Sequence, residues 1–543
     1  MAHHQAGRLD VAERGYAEVL AADPNHIDAL HLLGMLMIQS GRADEGFARI
    51  DRALAIEPRF LGAHFNRAVA MLQLGRLEEA LASFDKVVVL HPGLVDAHYN
   101  RAVTLGELGR PTEALASLDR VLAIAPRDPQ AHFSRGVMLK DLGRLDEALA
   151  SFDRALGIEP AYVEPHVNRG VILRMLARPE EAVAAYDRAL ALRPHHIEAL
   201  VSRGAALGDL RRSDEALASY DRALARDPGN SLARANKSLT LLLAGRFEEG
   251  LPLYESRRGM TSFAAGPPPA SGTPWTGAER LAGRTLFIGW EQGLGDTLQF
   301  CRYAIAAADA GARVVLSVQD PLVSLIGRMD PRVSVVGAQE QPPALDFHVH
   351  LMSLPLAFAT RLDSIPHGGA YLTADPARVS AWSARLGQGA RPRIGLVWSG
   401  GPAQANDHFR SMAFATIAPL LDLEADWICL QKEVRPADQP GASAHPRLRL
   451  LGEALEDFDD TAAVIETCDL VISVCTSVAH LAGAMGKPTW ILLAANADWR
   501  WLQDRDDTPW YGSARLFRQS ALGDWSGVIE RVGAALAARS AGR

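Results

Sequence analysis

Cysteine is the scarcest clue in this chain of 543 residues, with four in all, at Cys301, Cys429, Cys468 and Cys475. None has a partner at zinc or redox spacing, so a disulfide framework and a thiol-based metal site are both excluded, leaving free thiols. No apolar run approaches the ~20 residues that a bilayer-crossing helix needs, so no transmembrane segment is expected. The polar N-terminus lacks a secretory pattern, and the expectation is a cytoplasmic protein. Nor is there an excess of positive charge. The net charge is −8 with no basic stripe, which argues against nucleic acid as the main partner. What remains is ordinary globular material, 48% apolar and 22% charged, in a chain long enough for several domains.

What is present is a period. Proline returns every 34 residues, at Pro24, Pro58, Pro92, Pro126, Pro160, Pro194 and Pro228. A short turn keeps the same step at Gly7, Gly41, Gly75, Gly109, Gly143, Ala177, Arg211 and Gly245. Between turn and proline lies an amphipathic stretch such as Leu77, Ala80, Leu81, Phe84 and Val87, all on one helical face. Proline just past that helix stops it. One hairpin of this kind cannot bury its apolar face alone, but stacked copies share a core. Small residues recur at Ala68, Ala102, Gly136, Gly170 and Gly204, placed to let the second helix, at its alanine, come close. Six full units run from Ile27–Phe60 to Ile197–Asn230, a last one opens at Ser231, and a half-unit stands in front. That half-unit predicts an uncapped apolar side at Ala12, Tyr16 and Val19.

The pattern resembles the tetratricopeptide repeat, with the first-helix aromatic replaced by His64, His98, His132 and His166. Within it, one first-helix position reads Asn66, Asn100, Ser134, Asn168, Ser202 and Asn236, each followed by Arg or Lys. A similar asparagine ladder lines the groove of the O-GlcNAc transferases, where it grips an acceptor polypeptide. The resemblance therefore implies a protein or polypeptide acceptor held in the repeat groove by Asn66, Asn100, Asn168 and Asn236. An amide both donates and accepts, which suits an extended backbone. The alternative use of these positions is to bridge neighbouring repeats.

The predicted domains are a repeat superhelix over 1–262, a Pro/Gly-rich linker over 263–283, and two lobes over 284–375 and 390–543. The linker holds Gly266, Pro267, Pro268, Pro269, Gly272 and Pro274, which predict no regular element. Beyond it, strands alternate with helices. Strands are predicted at 285–289, 313–318, 333–336, 393–398, 427–431, 470–473 and 489–493, with helices at 296–310, 322–329, 414–421, 461–467 and 477–485. This alternation implies two parallel sheets facing one another, a fold class of all-α solenoid followed by α/β with two Rossmann-like lobes.

Two strand-to-helix turns are candidate sites. The first, Gly289 through Gln299, holds Gly293, Gly295 and Asp296 where ligands bind in open parallel sheets. For Asp296 alone the competing role is a helix N-cap. The second, Cys475-Thr476-Ser477 with His480 one turn on, offers hydroxyls and backbone N–H groups to a phosphate.

Together these turns resemble the heptosyltransferase family (glycosyltransferase family 9). The resemblance covers about Trp275 to Trp525 and implies the GT-B fold, a nucleotide-sugar donor as substrate with no cofactor, and inversion without a metal. The lack of an Asp-x-Asp at a strand end agrees with the latter. It implies Asp296 as general base, and donor contacts from Arg410, Gln431, Lys432, Glu433, Cys475, Thr476, Ser477 and His480. Gly293, Gly295, Gln299 and Arg500 would form the loops near the donor. Where the family usually has aspartate, this chain has Cys475, and a thiol replaces a carboxylate poorly. The alternative is therefore a non-catalytic scaffold with a degenerate GT-B domain.

Overall fold

The computed structural model describes residues 2–259, 264–266, 271–340, 344–366, 369–401 and 407–541. Pro267, Pro268 and Pro269 of the predicted linker lie outside the described residues, as does Asn406. The chain divides into two compact units, Met1–Ala199 and Leu200–Arg543.

In the first unit, short helix Ala2–Gln5 and helix Leu9–Ala22 precede hairpins that repeat at a constant length, from Ile27–Gln39 with Ala43–Ile56 to Val163–Met175 with Pro179–Leu192. Each hairpin turns through a left-handed residue. The dihedral φ is +72° at Gly75 and +69° at Gly109, and Ala177 takes the same conformation at +56°. In the later repeats the small first-helix residue makes room for the aromatic ring of the second helix, while in the first repeat Gly34 lies against Gly46, at the second helix's small position. A Cβ on Gly136 would meet the Phe152 ring at 2.5 Å, and one on Gly170 the Tyr186 ring at 2.6 Å. The front half-unit is better covered than its sequence predicts. Ala12 and Tyr16 are buried against Leu33, Leu36 and Met37, while Val19 stays exposed, as does Val11.

The polar ladder resolves into two roles. Arg67 donates to Asp51 at 2.7 Å and to Ser83 at 2.6 Å, and Arg101 and Arg135 repeat the pattern with Asp85 and Ser117, and Asp119 and Ser151. These bases tie successive second helices, so they set register. Half-exposed pairs of this kind contribute only ~0–1 kcal/mol each. The asparagines before them are half-buried. Asn100 and Asn168 spend an amide hydrogen on the carbonyl four residues back, of Asp96 and Glu164, while Asn66 meets His31 at 3.1 Å. The histidines His64, His98 and His132 each reach the carbonyl of the preceding marker proline at 3.0 Å.

The second unit begins within helix Ile197–Asp209 and continues through helices Ser213–Leu224, Ser231–Leu243 and Phe247–Tyr254, the second helix of the last repeat. Asn236 lies on the third of these. Two parallel sheets follow. The first holds β1 (Thr273–Pro274), β2 (Thr285–Gly289), β3 (Arg313–Ser317), β4 (Val333–Val336) and β5 (Phe347–His350), in the order β1-β5-β2-β3-β4. The second holds β6 (Arg393–Val397), β7 (Asp426–Cys429), β8 (Leu448–Leu450), β9 (Leu470–Val474), β10 (Thr489–Leu493) and β11 (Ala514–Arg518), in the order β11-β10-β9-β6-β7-β8. That is the doubly wound order, and it reverses direction between β6 and β9.

Several elements differ from the sequence expectation. The linker does form structure, since β1 pairs with Phe347 and His348. Pro274 is tolerated there because an edge strand needs no N–H from it. The predicted helix 296–310 begins earlier, at Leu294, and is two helices, Leu294–Phe300 and Arg302–Asp309, on either side of Cys301. Helix Pro376–Leu386, capped by Asp375, fills the stretch between the two predicted lobes. Strands β5, β8 and β11 and the terminal helix Trp525–Ala541 were not expected. No helix among the described residues is long and apolar enough to cross a membrane.

Candidate functional site

The segments that leave the carboxyl ends of β2, β6, β7, β9 and β10 surround one cavity of about 1080 Å³. Gly293, Leu294, Gly295 and Asp296 line it from the first sheet. Arg410, Arg435, the 475–478 turn, His480 and Arg500 line it from the second.

On the first wall, the chain leaving β2 turns at Gln292, a non-glycine residue at φ +63°. Its N–H donates to the Ala264 carbonyl at 2.7 Å and its carbonyl accepts from Gln319 at 3.3 Å, which hold the uncommon conformation. Gly293 then caps helix Leu294–Phe300, and Asp296 sits at its third position, not at the cap. Oδ2 of Asp296 accepts from the Gly293 N–H at 2.8 Å, and Oδ1 pairs with Arg500. Burial raises the Asp296 pKa above the usual carboxylate value, against the pull of Arg500 and the Gly293 N–H. Gly295 has no side chain because His480 lies against it. A Cβ there would stand 3.0 Å from the ring carbon Cδ2 and 3.7 Å from Nε2.

Gln299 is not part of the wall. It sits a turn deeper in the same helix, fully buried, with both amide atoms unpartnered among the described residues. Only the first turn of this helix lines the cavity, and Thr297 to Phe300 are buried.

On the second wall, Thr476 caps helix Ser477–Ala484 without a side-chain hydrogen bond, since its hydroxyl is 3.1 Å from Ser473 Oγ. The first N–H groups of that helix thus have no side-chain cap and open onto the cavity. Arg410 donates to the Cys475 carbonyl at 3.2 Å and lies over Gly400, where a Cβ would be 2.6 Å from Nη2. Arg435, which the sequence reading missed, stands beside it. It pairs with Asp407 and donates to the Gly400 carbonyl and Ser411 Oγ, both at 3.0 Å. Asp407 also accepts from Arg410 and Ser411, so one buried carboxylate orients two guanidiniums.

The remaining sequence candidates divide by how their side chains are engaged. Gln431 is buried and committed to the backbone. Its Oε1 accepts from the N–H of Trp398 at 2.7 Å and of Ser399 at 3.2 Å, so it braces the ends of β6 and β7. Lys432 and Glu433 are exposed on the rim, with Lys432 Nζ on the Glu456 carbonyl at 2.9 Å. Cys475 accepts from Trp501 Nε1 at 3.1 Å, and burial pushes its thiol up to about 11. It is a neutral thiol at physiological pH. His480 is stacked on Trp501 at 5.2 Å, and its Nδ1 meets Tyr511 Oη at 3.0 Å. Burial, and then the field of Arg500, Arg302 and Arg410, lowers its pKa well below the ordinary value, so it is a neutral imidazole. Arg500 bridges Asp296 and Asp498 and lies over the Trp499 ring at 5.2 Å.

The arrangement thus sets one carboxylate on one wall against two guanidiniums and an uncapped helix start on the other. Oriented N–H groups and paired guanidiniums bind phosphate oxygens strongly.

A family model for the tetratricopeptide repeat matches residues 31–94, 99–163, 167–230 and 201–262. The N-terminal half is a run of tetratricopeptide repeats. Among curated proteins, Protein FlbA of Caulobacter vibrioides is 29% identical over 323 residues, which cover 55% of this chain and 54% of FlbA. The chain thus spans about half the length of that relative. Among solved structures, YrrB, a tetratricopeptide protein with an unusual peptide-binding site, is 23% identical with a TM-score of 0.32, covering 34% of this chain and 95% of YrrB. The type IV pilus biogenesis factor PilW is 19% identical with a TM-score of 0.34, covering 38% of this chain and 97% of PilW.

Proposed function

We propose that the cavity binds a nucleotide sugar and that the second unit is a metal-independent, inverting glycosyltransferase of the GT-B fold. The tetratricopeptide repeats suit interaction with protein, and their role in this reading is to recruit a polypeptide acceptor. The observation that carries it is the opposition of Asp296 to Arg410, Arg435 and the uncapped 477–484 helix across one cavity.

The chemistry divides between the walls. A carboxylate has about four lone-pair sites, so Asp296 keeps acceptor capacity beyond its bonds to Gly293 and Arg500. It takes the proton of the acceptor hydroxyl, whose oxygen bonds to the anomeric carbon as the bond to the diphosphate breaks. Charge then grows on the departing diphosphate, where the guanidiniums and helix N–H groups stabilise it. The raised pKa of Asp296 brings the base closer to working pH.

The second reading, a scaffold without chemistry, draws on the ion pair that engages Asp296 and on the neutral thiol at Cys475. Transfer from a panel of nucleotide sugars to partner protein separates the two. Asp296→Asn should lower transfer ~10²–10⁴-fold, the worth of a positioned base, and leave partner binding intact. No transfer by the wild type would leave the scaffold reading in place, and equal transfer by wild type and Asp296→Asn would remove Asp296 as the base.

A further inference from the structure

The last repeat reaches the reacting pair from behind, along two paths. After helix Phe247–Tyr254 the chain forms a 3-10 turn, Glu255–Gly259, that carries Arg257 into the interior of the first lobe. Arg257 donates to Glu291 Oε1 from Nε at 3.0 Å and from Nη2 at 2.7 Å, and to Ser353 Oγ at 2.9 Å. Its remaining donor holds the Tyr254 carbonyl at 3.0 Å and Glu255 at 2.8 Å. Glu291 is fully buried and stands directly before Gln292 and Gly293, the residues that aim Asp296. The second path runs through Trp499, beneath Arg500. Phe247 and Tyr254 pack on that ring at 5.8 and 5.9 Å between centroids.

We propose that the last repeat is part of the reaction centre, with Arg257 as a positioning residue that fixes the 291–296 turn, and thereby Asp296, through Glu291. This rests on the reading of Asp296 as the base. A linker that only tethered the repeats would place no buried arginine there, because an unpaired buried charge is strongly destabilising. With Glu291 below it the charge is matched, and both ends of the Asp296–Arg500 pair are backed by one hairpin. The repeat region and the catalytic lobes are then not separable at the Pro/Gly stretch.

The test uses the full chain. Arg257→Met with Glu291→Gln removes both charges together, so neither is left buried and alone, and Arg257→Lys keeps the charge but loses the fork. Hydrogen exchange over 293–300 should accelerate in the double variant and less in Arg257→Lys, with 477–484 unchanged. In transfer assays kcat should fall about 10²-fold at unchanged donor KM, the cost of a misplaced reacting group. Wild-type exchange over 293–300 in both variants would overturn the proposal. A wild-type chain that exchanges as expected but never transfers sugar would instead overturn the reading of Asp296 as base.

Discussion

The repeats and the cavity use arginine in opposite ways. In the first unit Arg67, Arg101 and Arg135 meet the same partners at the same spacing, and each closes a bridge between neighbouring helices. Around the cavity, Arg410, Arg435 and Arg500 are each held by a buried or half-buried aspartate, yet Nε of Arg435 and of Arg500 has no hydrogen-bond partner among the described residues. Repetition spreads polar groups over many equivalent, modest contacts. A site that occurs once concentrates them, orients them from behind and leaves donors over.

That contrast breaks most sharply at Phe152, fully buried in the first unit against Gly136. Phe152→Ala should cost ~3–5 kcal/mol of stability in urea titration, the usual loss for a buried aromatic in a close-packed core. Nucleotide-sugar binding in the same variant should be unaffected. If that binding disappears, the division of labour between the two units is wrong.

Arg500→Met sharpens the other side. The guanidinium lowers the Asp296 pKa against the larger effect of burial, so its removal raises that pKa further. Asp296 works as a base only when deprotonated. The acid limb of the kcat/KM profile should therefore move to higher pH in Arg500→Met, and an unmoved limb would show that Asp296 is not the titrating group. The sign for stability agrees. A carboxylate whose folded pKa is raised favours folding at low pH, and that contribution is lost as pH rises towards the folded pKa.

Cys475→Ser should be the mildest change. The thiol is neutral and its one polar contact among the described residues is the Trp501 N–H, which a hydroxyl also accepts. A shift in donor affinity within ~0.5–1.5 kcal/mol by calorimetry is expected, the net worth of one hydrogen bond. A larger loss would mean that the sulfur itself is used.

The solenoid was legible because one physical rule recurs. Left-handed turns at Gly75 and Gly109 and helix-stopping prolines mark every hairpin, so even Ala177 and Arg211 could be placed in register. Strands with long apolar runs, such as β2 and β10, were legible for a similar reason. The short strands β5, β8 and β11 were not, because polar residues such as His348, Arg449 and Arg515 interrupt their apolar runs and leave too little pattern to stand out from loop. In the cavity, Asp296, Arg410, Thr476 and His480 could be found from strand-to-helix turns and a family resemblance. Arg435 could not: it follows Lys432 and Glu433 on a loop with no periodicity, and its partners Gly400, Asp407 and Ser411 lie 24 to 35 residues earlier. Gln299 failed in the opposite sense. Three residues from Asp296 it shares a helix side, but everything from Thr297 to Phe300 is buried.

The most direct measurement is thermal unfolding of the wild-type chain and of Arg410→Ala with UDP, GDP, ADP and CMP sugars. One of them at 100 times its Kd should stabilise the wild type by about 2.7 kcal/mol, and Arg410→Ala should lose most of that shift at the same concentration. A wild-type chain unmoved by every nucleotide sugar, or a shift that Arg410→Ala keeps in full, would contradict the account.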